Sequence, residues 1–85
     1  MHSARPVRLD RGRGVTHNIS TSGVFFETDV DYAPGSVITF LIELTGSHGE
    51  EMLMRCRGEI VRVENNNGKT GVAVKIKDSK HQRIS

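Results

Sequence analysis

The sequence has no tryptophan, one tyrosine and three phenylalanines. So few rings argue against a deep aromatic box for a large flat ligand. Cys56 is the single cysteine, which excludes an intrachain disulfide and fits a reducing cytosol. Next to Met54 on an apolar stretch, it reads as a buried, inert thiol rather than a nucleophile. No apolar run reaches the length of a transmembrane helix or a signal peptide, so the expectation is a cytoplasmic chain without membrane insertion. An excess of one charge is also lacking: twelve Lys and Arg stand against ten Asp and Glu, and a net +2 does not by itself call for DNA or a membrane.

Catalytic groupings are missing as well. His2, His17, His48 and His81 are scattered, without the spacings to cysteine or carboxylate that a metal site requires. No Ser-His-acid or Cys-His arrangement stands out, no glycine-rich phosphate loop precedes a helix, and Glu50-Glu51 reads as a solvated pair in a hairpin loop. A chain of 85 residues makes one domain. It buries only ~60–65% of its unfolded surface, which leaves little room for a catalytic cavity. The expectation is a protein that is not an enzyme and holds no metal or resident cofactor.

What is present is β-pattern. Ile38, Phe40, Ile42 and Leu44 alternate along one face of a strand over 36–44. Met52, Met54 and Cys56 alternate with Leu53, Arg55 and Arg57 in a second long strand ending near Val63, with a bulge or bend expected at Gly58, where the parity switches. Val72, Val74 and Ile76 form the inward face of a closing strand over 70–77, with Lys75 and Lys77 outward. Shorter strands are expected at 5–9, 15–17 and 24–28, and Phe25-Phe26 puts one ring on each face of the last. Turns fall at Asp10–Gly14, Pro34-Gly35, 46–51 and the Asn67-Gly68 pair. No stretch shows a helical period. The fold expected is all-β: a small antiparallel barrel of six strands. Residues 1–14 read as a basic N-terminal segment, 15–77 as the barrel body, and 78–85 as a polar tail, loose or weakly helical.

One polar stretch stands apart from this scaffold. Asn18-Ile19-Ser20-Thr21-Ser22-Gly23 lies between two β-leaning segments. Its asparagine offers an acceptor and two donors in one plane, suited to the edge of a base or an amide. The same residues also suit a plain connection between strands, bonding their own backbone.

Asn-x-Ser-x-x-Gly followed by Val24-Phe25-Phe26 resembles the second signature of the PilZ domain family. Further landmarks follow in order: the basic N-terminal segment, Pro34-Gly35 opening a long strand, Gly-Glu-Ile-Val-Arg-Val at 58–63, and Gly-Val-Ala-Val-Lys-Ile at 71–76. The resemblance runs from about Arg5 to Ile76. It implies a β-barrel receptor for cyclic di-GMP, in which Asn18 hydrogen-bonds guanine, Ser20 bonds the base or phosphate region and Gly23 shapes the loop. It also implies a bacterial signalling module working through a partner protein or an attached domain.

In binding members of the family this signature acts with an Arg-x-x-x-Arg pair ahead of the first strand. No two of Arg5, Arg8, Arg11 and Arg13 are spaced four apart, so Arg5 and Arg8 are the candidates for a shortened arm. Without such a pair, a protein-interaction module of the same fold that has lost the nucleotide is the first rival. An exposed apolar patch, with Phe25 or Tyr32 in it, would mark that rival. A small nucleic-acid-binding barrel is the second, and it would need exposed aromatics among its cations. Arg55, Arg57 and Arg62 supply only the cations.

Overall fold

The computed structural model describes residues 4–20, 22–46 and 48–83. Thr21 of the polar stretch, the segment 1–3 with His2, and residues 84–85 of the tail lie outside them. The chain forms β1 (Pro6–Leu9), β2 (Gly12–Ile19), β3 (Gly23–Thr28), β4 (Val37–Thr45), β5 (Glu51–Asn66) and β6 (Lys69–Arg83). All neighbouring strands are antiparallel, and they close into a barrel in the order β1-β2-β3-β6-β5-β4. The expected six-stranded antiparallel barrel is the fold observed.

Strand alternation sets the interior. Val7, Val24, Phe26, Phe40, Ile42, Cys56, Ile60, Val72 and Val74 make one buried cluster. The Phe26 and Phe40 rings sit tilted at its centre, 5.6 Å between centroids. Turn chemistry holds the ends. Asn67 (φ 52°) and Gly68 (φ 83°) make the two-residue β5–β6 hairpin, in the left-handed angles that an Asn-Gly pair accepts at low cost. In the turn after Pro34, the Ser36 N–H donates to the Ala33 carbonyl at 3.3 Å.

Three elements depart from the sequence expectation. Residues 6–9 form the strand expected there, but within the barrel body rather than in an N-terminal segment outside it: Val7 is fully buried and faces Ile42 of β4, and this two-pair contact closes the sheet. Likewise, 78–83 are neither loose nor helical, because they continue β6 along residues 52–57 of β5. Their polarity hid the strand: it is held by a backbone ladder to one neighbour and needs no apolar face. The parity switch in β5 comes from Val61 rather than Gly58. Ile60 faces Val74 and Arg62 faces Ala73, leaving Val61 as the extra, exposed residue, so that Val63 turns back toward the core. At Gly58 the ladder does slip, but the extra residue there is Lys77, on the opposite strand.

A fourth irregularity positions the polar stretch. On β2, Thr16 pairs with Phe26 and Asn18 pairs with Phe25, so His17 is the bulged residue. Thr16 is buried and faces inward with Phe26. Strict alternation would send Asn18 inward too, since residues two apart share a face. The bulge reverses this and sets Asn18 on the outer surface beside Phe25.

Candidate ligand-binding site

Asn18, Ser20 and Gly23 come together as expected. With Val24, Phe25, Ala73 and Val74 they line an open concavity of about 230 Å³ on the outer face of β2, β3 and β6. The Asn18 side chain is exposed, and its carboxamide makes no hydrogen bond to another described residue, so donors and acceptor are available to a ligand. Ser20 is differently placed. Its hydroxyl donates to the Gly23 carbonyl at 3.2 Å and accepts from the Gly23 N–H at 3.2 Å, while the Ser20 N–H donates to the same carbonyl at 2.8 Å. One lone pair remains on that oxygen for anything else. Ser20 therefore fixes the tight β2–β3 connection that presents Asn18.

The floor is built by side-chain size. Phe26 is core and Phe25 is its half-buried outward neighbour, the division of the two rings expected from the sequence. Phe25 lies over Gly71: a Cβ on Gly71 would stand 2.7 Å from Phe25 Cζ. Beside it, Ala73 faces Phe25 across the β3–β6 ladder with only a methyl group, which leaves the hollow open. His17 borders the site from the bulge, its ring 6.1 Å from that of Phe25 and its Nε2 2.8 Å from Glu27 Oε1.

The candidate arginines are not brought here. Arg5 and Arg8 line a separate hollow with Glu43, Glu51 and Met52, and Arg8 Nε is bound to Glu43 Oε2 at 2.9 Å. Arg5 meets β2 through its backbone: its N–H donates to Thr16 Oγ1 and its carbonyl accepts from Thr16 N–H, both at 2.9 Å. The closest cation by ladder position is Lys75, opposite Gly23, exposed and in no ion pair among the described residues. Sequence reading missed Ala73 and Lys75 because their relation to Asn18 runs through the β3–β6 register. The one signal in the sequence is that both fall on the outward phase of β6.

A larger hollow, about 580 Å³, lies away from this site, among Asp10, Arg11, Asp31, Tyr32 and the start of β4. Arg11 is occupied there, 5.5 Å above the Tyr32 ring and donating to the Asp31 carbonyl at 3.1 Å. Partial burial, then the Asp10 charge, raise the Tyr32 phenol above its usual 10.0, with Arg11 opposing. Two carboxylates and an occupied guanidinium suit an anionic ligand poorly. The Asn18 concavity is the better candidate.

A closed six-stranded antiparallel barrel thus carries an Asn-x-Ser-x-x-Gly connection over a small-residue floor on its outer wall. Residues 5–84 match the PilZ domain, and the chain belongs to that family, whose domains are of the type that binds cyclic di-GMP in signalling. No curated protein and no solved structure matches the chain. No helix among the described residues is long and apolar enough to cross a membrane.

Proposed function

We propose that this domain is a cyclic di-GMP receptor module of a bacterial cytoplasm, and that one guanine edge is read by Asn18. One observation carries the reading: the His17 bulge turns a carboxamide that is unpartnered among the described residues outward over the hollow walled by Ser20, Gly23, Phe25 and Ala73. Ligand pockets usually span ~300–1,000 Å³, so a concavity of about 230 Å³ takes a single base, with the rest of the dinucleotide lying across the outer sheet. Ordering of that face by the ligand would change the surface offered to a partner protein or attached domain.

Within residues 1–85 no arginine pair has the family's spacing, and this sets the strength expected of these residues alone. Two charge-assisted contacts are worth ~3–6 kcal/mol, so binding is about two to four orders of magnitude weaker than with the pair present. The test is isothermal titration with cyclic di-GMP, taken to high ligand concentration and repeated on Asn18→Ala. Saturable binding that weakens about tenfold in the variant supports the reading, at ~1.4 kcal/mol per decade. A flat titration of the unmodified chain sinks it.

A second reading, an interaction module without nucleotide, is favoured by a different observation. Val37 and Val61 are 58% and 56% exposed, and the strands beside them are tied by the Ile60 N–H donating to the Ser36 carbonyl at 2.8 Å. Tyr32 packs against the core instead, and Phe25 is half-buried over Gly71, so neither forms an open apolar patch.

A further inference from the structure

Beyond the Asn18 concavity, the β5–β6 ribbon carries an arrangement of charge that strand pairing alone does not favour. Arg55 and Lys80 are directly opposed across the ladder, and Arg57 faces Asp78 one step further along. Directly opposed residues share a face with their Cβ atoms ~5 Å apart, and like charges so placed are destabilising. Cys56, between the two arginines, points into the core, so both guanidinium groups project from the same outer side. The four side chains alone line a hollow of about 240 Å³. Among the described residues none of the four is in an ion pair, whereas Arg62 and Lys77 nearby are matched by Glu64 and Glu59. Three cations therefore converge with one carboxylate, and the opposed pair has no counter-ion among the described residues.

We propose that Arg55, Arg57 and Lys80 form a phosphate-binding site, distinct from the Asn18 concavity, that takes a phosphate monoester or diester. The planar guanidinium of Arg55 or Arg57 matches two phosphate oxygens in bidentate fashion, and the Lys80 ammonium adds a third, movable donor. A bound phosphate lies between the opposed cations and removes their repulsion. Asp78 disfavours any anion that does not reach all three cations, which gives the site selectivity for a compact multivalent oxyanion over chloride. The two hollows share no lining residue, so this site stands whether or not Asn18 reads a base.

The sources of such a group are a soluble phosphorylated compound or a lipid headgroup, and the test separates them. Backbone amide shifts of the whole chain are followed while sodium phosphate is added against sodium chloride of equal ionic strength. A second series adds vesicles of phosphatidylglycerol in phosphatidylcholine, with pure phosphatidylcholine vesicles as the control. Saturable shifts confined to residues 55–57 and 78–80 with phosphate support the site with a soluble ligand. Saturation with the anionic vesicles alone supports it with a lipid ligand. In either case Lys80→Gln and Arg55→Gln weaken binding by about fivefold or more, the loss of one charge-assisted contact at an exposed site. Shifts that follow ionic strength alone in both series, or that persist unchanged in the variants, overturn the proposal. Thermal unfolding at low salt checks the premise separately. Lys80→Gln raises Tm by relieving the opposed charges, and a lower Tm would show that the pair is not repulsive.

Discussion

Alkaline pH will destabilise this barrel through Cys56, and replacing the residue by alanine will remove that sensitivity. Cys56 sits mid-strand in β5, opposite Phe40, with no exposed surface. Its one hydrogen-bond partner among the described residues is the Met54 carbonyl, 3.9 Å from Sγ. Desolvation there pushes the thiol up from 9.0 to about 11. The sign follows from linkage. The folded state holds the proton more tightly than the unfolded chain, so the contribution is complete below pH 9 and is lost as pH rises toward 11. At ~1.36 kcal/mol per pKa unit, about 1.4 kcal/mol is gone by pH 10 and about 2.7 kcal/mol above both values. Stability of small domains is ~0.05–0.15 kcal/mol per residue, so this is a substantial share. The assay is urea unfolding of the unmodified chain and of Cys56→Ala at pH 8 and pH 10. Tyr32 titrates in the same range and in the same direction, but it is present in both proteins and cancels in the comparison. The alanine variant starts less stable, through the lost packing, but falls less between the two pH values by about 1.4 kcal/mol. Parallel declines would refute the reasoning, as would rapid reaction of the folded thiol with a disulfide reagent at pH 8, since a buried protonated thiol is inert.

Other consequences bear on the candidate site. Gly71→Ala places a methyl group against Phe25 Cζ, and because that ring is half-buried it swings aside at small cost. Unfolding should shift by less than ~1.5 kcal/mol, whereas cyclic di-GMP affinity in the same titration should change because the floor has moved. Arg8→Ala removes an ion pair with Glu43 whose side chains are 46% and 32% exposed, so its effect on stability is at most ~1 kcal/mol. Since Arg8 lies outside the Asn18 concavity, that variant should bind cyclic di-GMP as the unmodified chain does; a marked loss would show that Arg8 leaves Glu43 to reach the ligand.

Much of the barrel was legible because alternation is a local property. The inward phase of Phe40 and Ile42, and that of Val72 and Val74, follow from residue order alone, and the Asn67-Gly68 turn follows from backbone preferences. The C-terminal end of the chain was not legible. A strand at 5–9 was expected, and pairing added that it closes the sheet against β4, whereas residues 78–83 carry no apolar phase and only pairing with β5 reveals them as strand. Bulges are hidden for a related reason. One extra residue at His17 leaves no trace in residue order, and the one at Val61 showed only as a parity switch assigned to Gly58, yet each reverses the facing of everything that follows until the next correction.

By itself, then, the sequence determined that this is a small all-β chain and that Asn18, Ser20 and Gly23 belong to one connection, because turns and alternation depend on near neighbours. It also brought those three residues forward as a binding group. The tertiary structure alone decided which way Asn18 faces, that Phe25 and Ala73 floor the hollow, and that Arg5 and Arg8 stand elsewhere. Opposing Arg55 to Lys80 was likewise its decision. These relations are set by ladder register between strands distant in sequence, and register is fixed only when all six staves satisfy one shared core.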